Sequence, residues 1–291
     1  MTFHGSLVAI ITPFRNGTVD EKALGDLIEW QIANGTDGIV PCGTTGESAT
    51  LTHEEHKRVV EFTIEVVKRR VPVIAGTGSN ATDEAIEFTR HARSAGADAA
   101  LLISPYYNKP TQEGLYRHHK AIAEAVDIPQ ILYNIPGRTA VNMAPATVAR
   151  LATVKNIVGI KEGAGSLQQV SEIVQACGDR FTVLAGDDAL TLPMMAVGAT
   201  GVITVTANVA PAEMAALVDA WETGNVAKAR ALHFKLYPLF QALFFETNPV
   251  PVKHALALMG RATADVRLPL CAMSQENLDK LTRVMKDYGL V

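Results

Sequence analysis

The chain has 291 residues, 48% of them hydrophobic and 19% charged, with a net charge of −4. That is enough apolar material for one large core or two small ones, and mild acidity without a long basic run argues against nucleic acid or anionic lipid as a partner. Cys42, Cys177 and Cys271 are too few and too scattered for a disulfide framework or a zinc cluster and are expected to be reduced thiols in a cytosol.

The opening "MTFHGSLVAIITPF" lacks a basic flank and a cleavage site, and no apolar run approaches the ~20 residues that span a bilayer. A soluble, cytoplasmic protein with no membrane partner is expected. The first strand is predicted at "LVAII" (7–11) and the first helix at "DEKALGDLIEWQIAN" (20–34). "GIVPC" (38–42) follows as a strand, then the helix "THEEHKRVVEFTIEVVKRR" (52–70), which opens on Thr52 and Glu55 in capping-box spacing and carries a Val59, Phe62, Val66 stripe. Further apolar runs are "VPVIAG" (71–76), "AALLIS" (99–104), "QILYN" (130–134), "IVGIK" (157–161), "FTVLAG" (181–186) and "GVITV" (201–205). "NGTDGIV", "SAGADAALL" and "AVGATGVIT" repeat one design: a left-handed glycine ends a helix, the chain turns, and a strand begins.

Eight strands, each followed by a helix, pair in parallel and favour a closed (β/α)8 TIM barrel over residues 1–224. A doubly wound open sheet is the competing α/β architecture, but the first strand runs into "ITPFRNG", which is no phosphate loop. Residues 225–291 read as helices only, a C-terminal helical appendage, at "NVAKARALHFKLYPLFQALF", "NPVPVKHALALMG" and "SQENLDKLTRVMKDYG".

In such barrels the site forms at the C-terminal strand ends. Lys161 ends strand six; alternation is expected to put Ile157, Gly159 and Lys161 on one face, with Gly159 leaving space beside the amine. Low dielectric favours an uncharged amine, the form that attacks a carbonyl. A strand-end lysine paired with Glu162, or snorkelling to water, is the plainer reading of the stretch taken alone. "CGTTGES" (42–48) is either an ordinary loop or an anion cradle built from backbone N–H groups and the hydroxyls of Thr44 and Thr45. Cys42 has no histidine close in sequence and reads as inert. Tyr133 is expected two residues short of the level of Lys161, as an acid/base or as a core aromatic. Arg138, in "YNIPGRT", is a surface charge or a fork for a carboxylate. The histidines make poor metal ligands: "HEEH" is not a zincin motif, no His-x-His closes strand one, and adjacent His118 and His119 are expected to point apart on polar helix faces.

Together "VAIITPF", "CGTTGE" (42–47), "SPYYNKP" (104–110), "YNIPGRT" (133–139) and "GIKEGAG" (159–165) resemble one family over nearly the whole chain. It is the dihydrodipicolinate synthase group of the pyruvate-dependent class I aldolases, which also include the N-acetylneuraminate lyases. The resemblance implies an imine between pyruvate and Lys161, and attack of its enamine on L-aspartate 4-semialdehyde. The product would be 4-hydroxytetrahydrodipicolinate, on the diaminopimelate route to lysine, with no metal or organic cofactor. Tyr133, Thr44 and Tyr107 look like the family's proton relay, with Tyr107 reaching in from a neighbouring subunit. Thr45 would hold the pyruvate carboxylate, Gly186 and Ile203 would line the pyruvate pocket, and Arg138 would take the acceptor's carboxylate. The resemblance further implies a homotetramer of two tight dimers and feedback inhibition by L-lysine. Ser48, Ala49, His53, His56, Asn80, Glu84 and Tyr106 match the effector positions of relatives that respond to lysine. A sugar-acid aldolase, which Arg138 weighs against, and a barrel that has lost catalysis are the alternatives.

Overall fold

The computed structural model describes residues 3–291. Eight strands form one parallel sheet: β1 (Gly5–Ala9), β2 (Gly38–Val40), β3 (Ile74–Gly76), β4 (Ala99–Ile103), β5 (Gln130–Asn134), β6 (Ile157–Glu162), β7 (Thr182–Ala185) and β8 (Gly201–Thr204). They pair in chain order, β1 also pairs with β8, and a single Ile39–Val73 bridge joins β2 to the start of β3. The bonds Ile39 N to Pro72 O (3.0 Å) and Gly76 N to Pro41 O (2.9 Å) close this seam. The TIM barrel expected from the sequence is therefore present.

The helices α1 (Glu21–Ala33), α2 (His53–Val67), α3 (Thr82–Ala95), α4 (Gln112–Ala125), α5 (Pro145–Leu151), α6 (Leu167–Cys177), α7 (Thr191–Ala196) and α8 (Pro211–Glu222) surround it. The α2 capping box forms, with Thr52 Oγ1 accepting from Glu55 N at 3.2 Å and Glu55 Oε2 from Thr52 N at 2.9 Å. Gly35, Gly96 and Gly198 sit at φ 83°, 99° and 110°, the left-handed conformation their shared motif anticipates. The C-terminal region is α9 (Val226–Ala242), α10 (Val250–Leu258) and α11 (Gln275–Tyr288). Leu236, Leu239, Val252, Leu256, Leu281 and Met285 of these helices join the core between barrel and helices. Among the described residues no helix is long and apolar enough to cross a membrane.

Inside the barrel Leu7, Ala9, Val40, Ile74, Leu101, Ile131, Tyr133, Leu184 and Ile203 form a separate core. Ile157 departs from the expected alternation. Gln130 pairs with Ile157 but Ile131 with Gly159, so β6 carries one extra residue. This bulge turns Ile157 to the outer core and Val158 to the interior, leaving Lys161 inward. Gly159 does not leave open space either: a Cβ there would lie 2.6 Å from the Thr182 carbonyl, so glycine lets β6 and β7 approach. A small hairpin, Phe14–Arg15 against Thr18–Val19, was not anticipated. His118 and His119 do not occupy polar faces: both are buried, with ring centres 4.9 Å apart.

Candidate active site

Lys161 is 5% exposed and pairs in register with Tyr133 on the neighbouring strand. Tyr133 is thus level with the lysine, not two residues short of it, and Lys161 Nζ lies 4.5 Å from the centre of its ring. Beyond the same end of the sheet, the Gly186 amide donates to the Glu162 carbonyl (2.7 Å), and a Cβ at Gly186 would lie 2.9 Å from that oxygen. Ile203 is buried in the interior core with Tyr133 and Leu184. Strand sequence therefore places Lys161, Tyr133 and Ile203 around one end of the barrel interior.

The loop after β2 closes over that end. Cys42 and Glu47 adopt left-handed backbone, at φ 54° and 53°, around Gly43 and Gly46. Such conformations cost of order 1 kcal/mol in a side-chain-bearing residue unless the surroundings fix them. The surroundings do so here. Thr12 Oγ1 donates to the Gly46 carbonyl at 2.7 Å. The Glu47 carboxylate is buried against Lys253 Nζ and accepts the Arg267 amide at 3.2 Å. Lys253 is fully buried, also donates to the Asp265 carbonyl at 2.8 Å, and lies 4.1 Å over the Phe14 ring. Burial lowers its ammonium from the ordinary lysine value, opposed by Glu47. Cys42 is buried, and desolvation pushes its thiol far above the ordinary range, so it is no nucleophile.

Thr44 and Tyr133 line one small cavity of about 30 Å³ with Gly43, Gly76 and Ile103. Thr45 is buried, and its hydroxyl accepts from Asn248 Nδ2 at 3.0 Å. The Asn248 carbonyl in turn accepts from Arg138 Nη2 at 3.0 Å. One asparagine thereby spans the candidate cradle for one carboxylate and the arginine for another. Asn248, Glu47, Lys253 and Arg267 escaped the sequence reading because their contacts join residues some 200 positions apart. A lysine inside the apolar run "NPVPVKHALAL" is the signal that an acidic partner exists elsewhere.

A cleft of about 410 Å³ opens beside the loop. It is lined by Thr44 and Arg138 and by six of the seven expected effector residues: Ser48, Ala49, His53, His56, Glu84 and Tyr106. Asn80 is not in the lining; its Nδ2 donates to the Tyr106 carbonyl at 3.2 Å. His53 Nε2 contacts Glu84 Oε1 at 2.9 Å, and His56 stacks on Phe88 with ring centres 4.1 Å apart. Burial depresses His56 to about 4, so at neutral pH it presents a neutral ring. Tyr107, by contrast, is 90% exposed at φ 71° and is not brought to Lys161 within the chain.

The chain is similar to known proteins over nearly its whole length. The family model described as the Dihydrodipicolinate synthetase family matches residues 2–288. The chain is 64% identical to the 4-hydroxy-tetrahydrodipicolinate synthase of Syntrophus aciditrophicus, over 99% of each chain. It superposes on the crystal structure of dihydrodipicolinate synthase from Aquifex aeolicus with a TM-score of 0.98 and 54% identity, covering 99% of each chain. The Acinetobacter baumannii enzyme solved with pyruvate is 47% identical, with a TM-score of 0.98 over 100% of each chain. The Cyanidioschyzon merolae enzyme solved with lysine bound is 40% identical, with a TM-score of 0.97 over 99% of each chain.

Proposed function

The chain belongs to the dihydrodipicolinate synthetase family and is a lyase of the class I aldolase type, and on that premise we propose that it condenses pyruvate with L-aspartate 4-semialdehyde through an imine on Lys161. The observation that carries the reading is the inward Lys161 against Tyr133, with Thr44 lining the same space as the tyrosine. The lysine amine adds to the pyruvate ketone and water leaves. Loss of a methyl proton then gives the enamine, with the iminium nitrogen as electron sink. The enamine carbon attacks the aldehyde carbon, whose oxygen takes a proton. The α-amino group brought by the semialdehyde attacks the imine carbon and displaces Lys161, closing the ring of 4-hydroxytetrahydrodipicolinate and freeing the lysine amine.

Tyr133 and Thr44 are the residues suited to carry these protons, with Tyr107 of a neighbouring subunit completing the relay. Thr45 and the adjacent backbone N–H groups hold the pyruvate carboxylate, and Gly186 and Ile203 wall its pocket. Arg138, steadied by the Asn248 carbonyl, takes the carboxylate of the semialdehyde. The chemistry calls on no metal and no organic cofactor. L-lysine is the proposed feedback effector, held in the cleft by Glu84 through its ammonium and by Tyr106 through its carboxylate; that a relative is solved with lysine bound supports lysine as a ligand. The working assembly is proposed to be a homotetramer of two tight dimers. Borohydride reduction with pyruvate should add one reduced pyruvyl group at Lys161, read by peptide mass spectrometry. Labelling elsewhere, or none, overturns the mechanism.

A further inference from the structure

Glu162 follows the imine lysine, and its side chain leaves the opposite face of β6. It is 1% exposed. Its four side-chain hydrogen bonds all come from neutral donors: Asn134 Nδ2 to Oε1 and Oε2 at 3.1 and 3.0 Å, Gln169 Nε2 to Oε2 at 3.1 Å, and Ala164 N to Oε1 at 2.6 Å. The orientation of Asn134 is set by the backbone, because Met143 N donates to its Oδ1 at 2.9 Å and leaves only the amino end for Glu162. Asn142 ties the group together by bonding both Asn134 and Gln169. A carboxylate accepts from every one of these donors; a carboxylic acid would set its own proton against one of them. Burial pushes the carboxyl up from its ordinary value, and these hydrogen bonds oppose that push. Glu162 pairs in register with Asn134 one residue beyond the Tyr133–Lys161 pair. This polar group therefore holds the rung next to the reacting one.

We infer that Glu162 is a positioning residue for imine chemistry: its buried carboxylate fixes the shared rung of Tyr133 and Lys161 and places negative charge behind the cation that Lys161 becomes as an iminium. This rests on Lys161 being the imine lysine. Low dielectric makes the charge felt across one strand, and the amide frame prevents the carboxylate from turning away.

The test is stopped-flow or quench trapping with pyruvate and borohydride on the full-length protein, together with steady-state kinetics and melting curves. Unlabelled Lys161 in the wild type refutes the function reading itself. With the wild type labelled, Glu162→Gln should form the adduct at least tenfold more slowly and raise the pyruvate KM, with the semialdehyde KM changed less than threefold. The exchanged variant Asn134→Asp with Glu162→Gln returns one anion to the cluster and should recover labelling to within threefold of wild type. A purely structural role would lower the melting temperature without this split or this recovery. Folded Glu162→Gln that labels at the wild-type rate overturns the inference. If Glu162→Gln does not fold, the exchanged variant decides alone: labelling within threefold of wild type supports the inference, and slower labelling overturns it.

Discussion

Lys161 and Tyr133 are register partners on adjacent parallel strands, with the lysine nitrogen 4.5 Å from the centre of the tyrosine ring. Tyr133→Phe keeps that ring face and removes only the hydroxyl. Turnover should fall by about 10²–10⁴ if the hydroxyl moves protons, while borohydride still traps pyruvate on Lys161. Turnover within threefold of wild type would remove Tyr133 from the relay. Lys161→Arg should abolish both trapping and turnover, because a guanidinium stays protonated.

Arg138 lies in the cleft lining and is bonded to the Asn248 carbonyl. Arg138→Ala should raise the semialdehyde KM or lower kcat/KM for it by the equivalent of about 1.5–3 kcal/mol, the worth of a charge-assisted contact. Trapping with pyruvate should stay near wild type. Equal losses in both half-reactions would contradict the assignment.

The cleft joins six of the seven expected effector residues to Thr44 and Arg138. Initial rates at fixed pyruvate should fall as L-lysine is added. His56→Lys adds a cation to the cleft that would repel the effector's ammonium, and Glu84→Ala removes its counter-charge, so both should weaken inhibition. A wild type unaffected at millimolar lysine would mean that the residues are present without the response.

Tyr107 is exposed in the single chain and held at a left-handed φ. Tyr107→Phe should slow catalysis and leave the melting temperature unchanged. Sedimentation should find the active wild type assembled; a fully active monomer would refute a role for a partner's tyrosine.

Lys253→Met strands the Glu47 carboxylate, and breaking such a pair costs about 3–5 kcal/mol. Thermal melts should show this loss, and the pyruvate KM should rise because the cradle loosens. Pairing it with Glu47→Leu removes the stranded charge and should recover much of the stability but not the KM.

His56 and His118 are depressed by burial to about 4, and His119 is pushed well below its ordinary 6.5. Above pH 6.5 these rings are neutral in folded and unfolded chains alike. Below it the unfolded chain takes up protons that the folded one refuses, so stability should drop between pH 6.5 and 4. The raised Glu162 and Asp188 act with the opposite sign as they protonate. Melting of His119→Leu should therefore decline less steeply over the histidine window than wild type. Parallel declines would show that His119 does not set the slope.

The strand count, the helix-ending glycines and Lys161 were legible in the sequence because each follows from a local pattern. Ile157 was not: a bulge depends on how β6 meets β5, which alternation in one strand does not encode. The Phe14–Val19 hairpin has strands two residues long, too short to show a period, although Asn16-Gly17 is a strong turn signal. His118 and His119 read as polar by type and are buried by tertiary packing. Arg138 and Thr45 were legible singly, whereas Asn248 between them was not, since nothing near position 248 points to position 45.

That dependence on residues 248–267 has a consequence for how the enzyme is made. The loop around Thr45 and Glu47 leaves the ribosome early, yet Asn248, Lys253 and the Arg267 amide that fix it emerge 203 to 220 residues later. The nascent barrel therefore carries an unfixed loop until residues 248–267 have emerged. A chain that stops short of residue 248 lacks the contacts that fix the loop around Thr45 and Glu47.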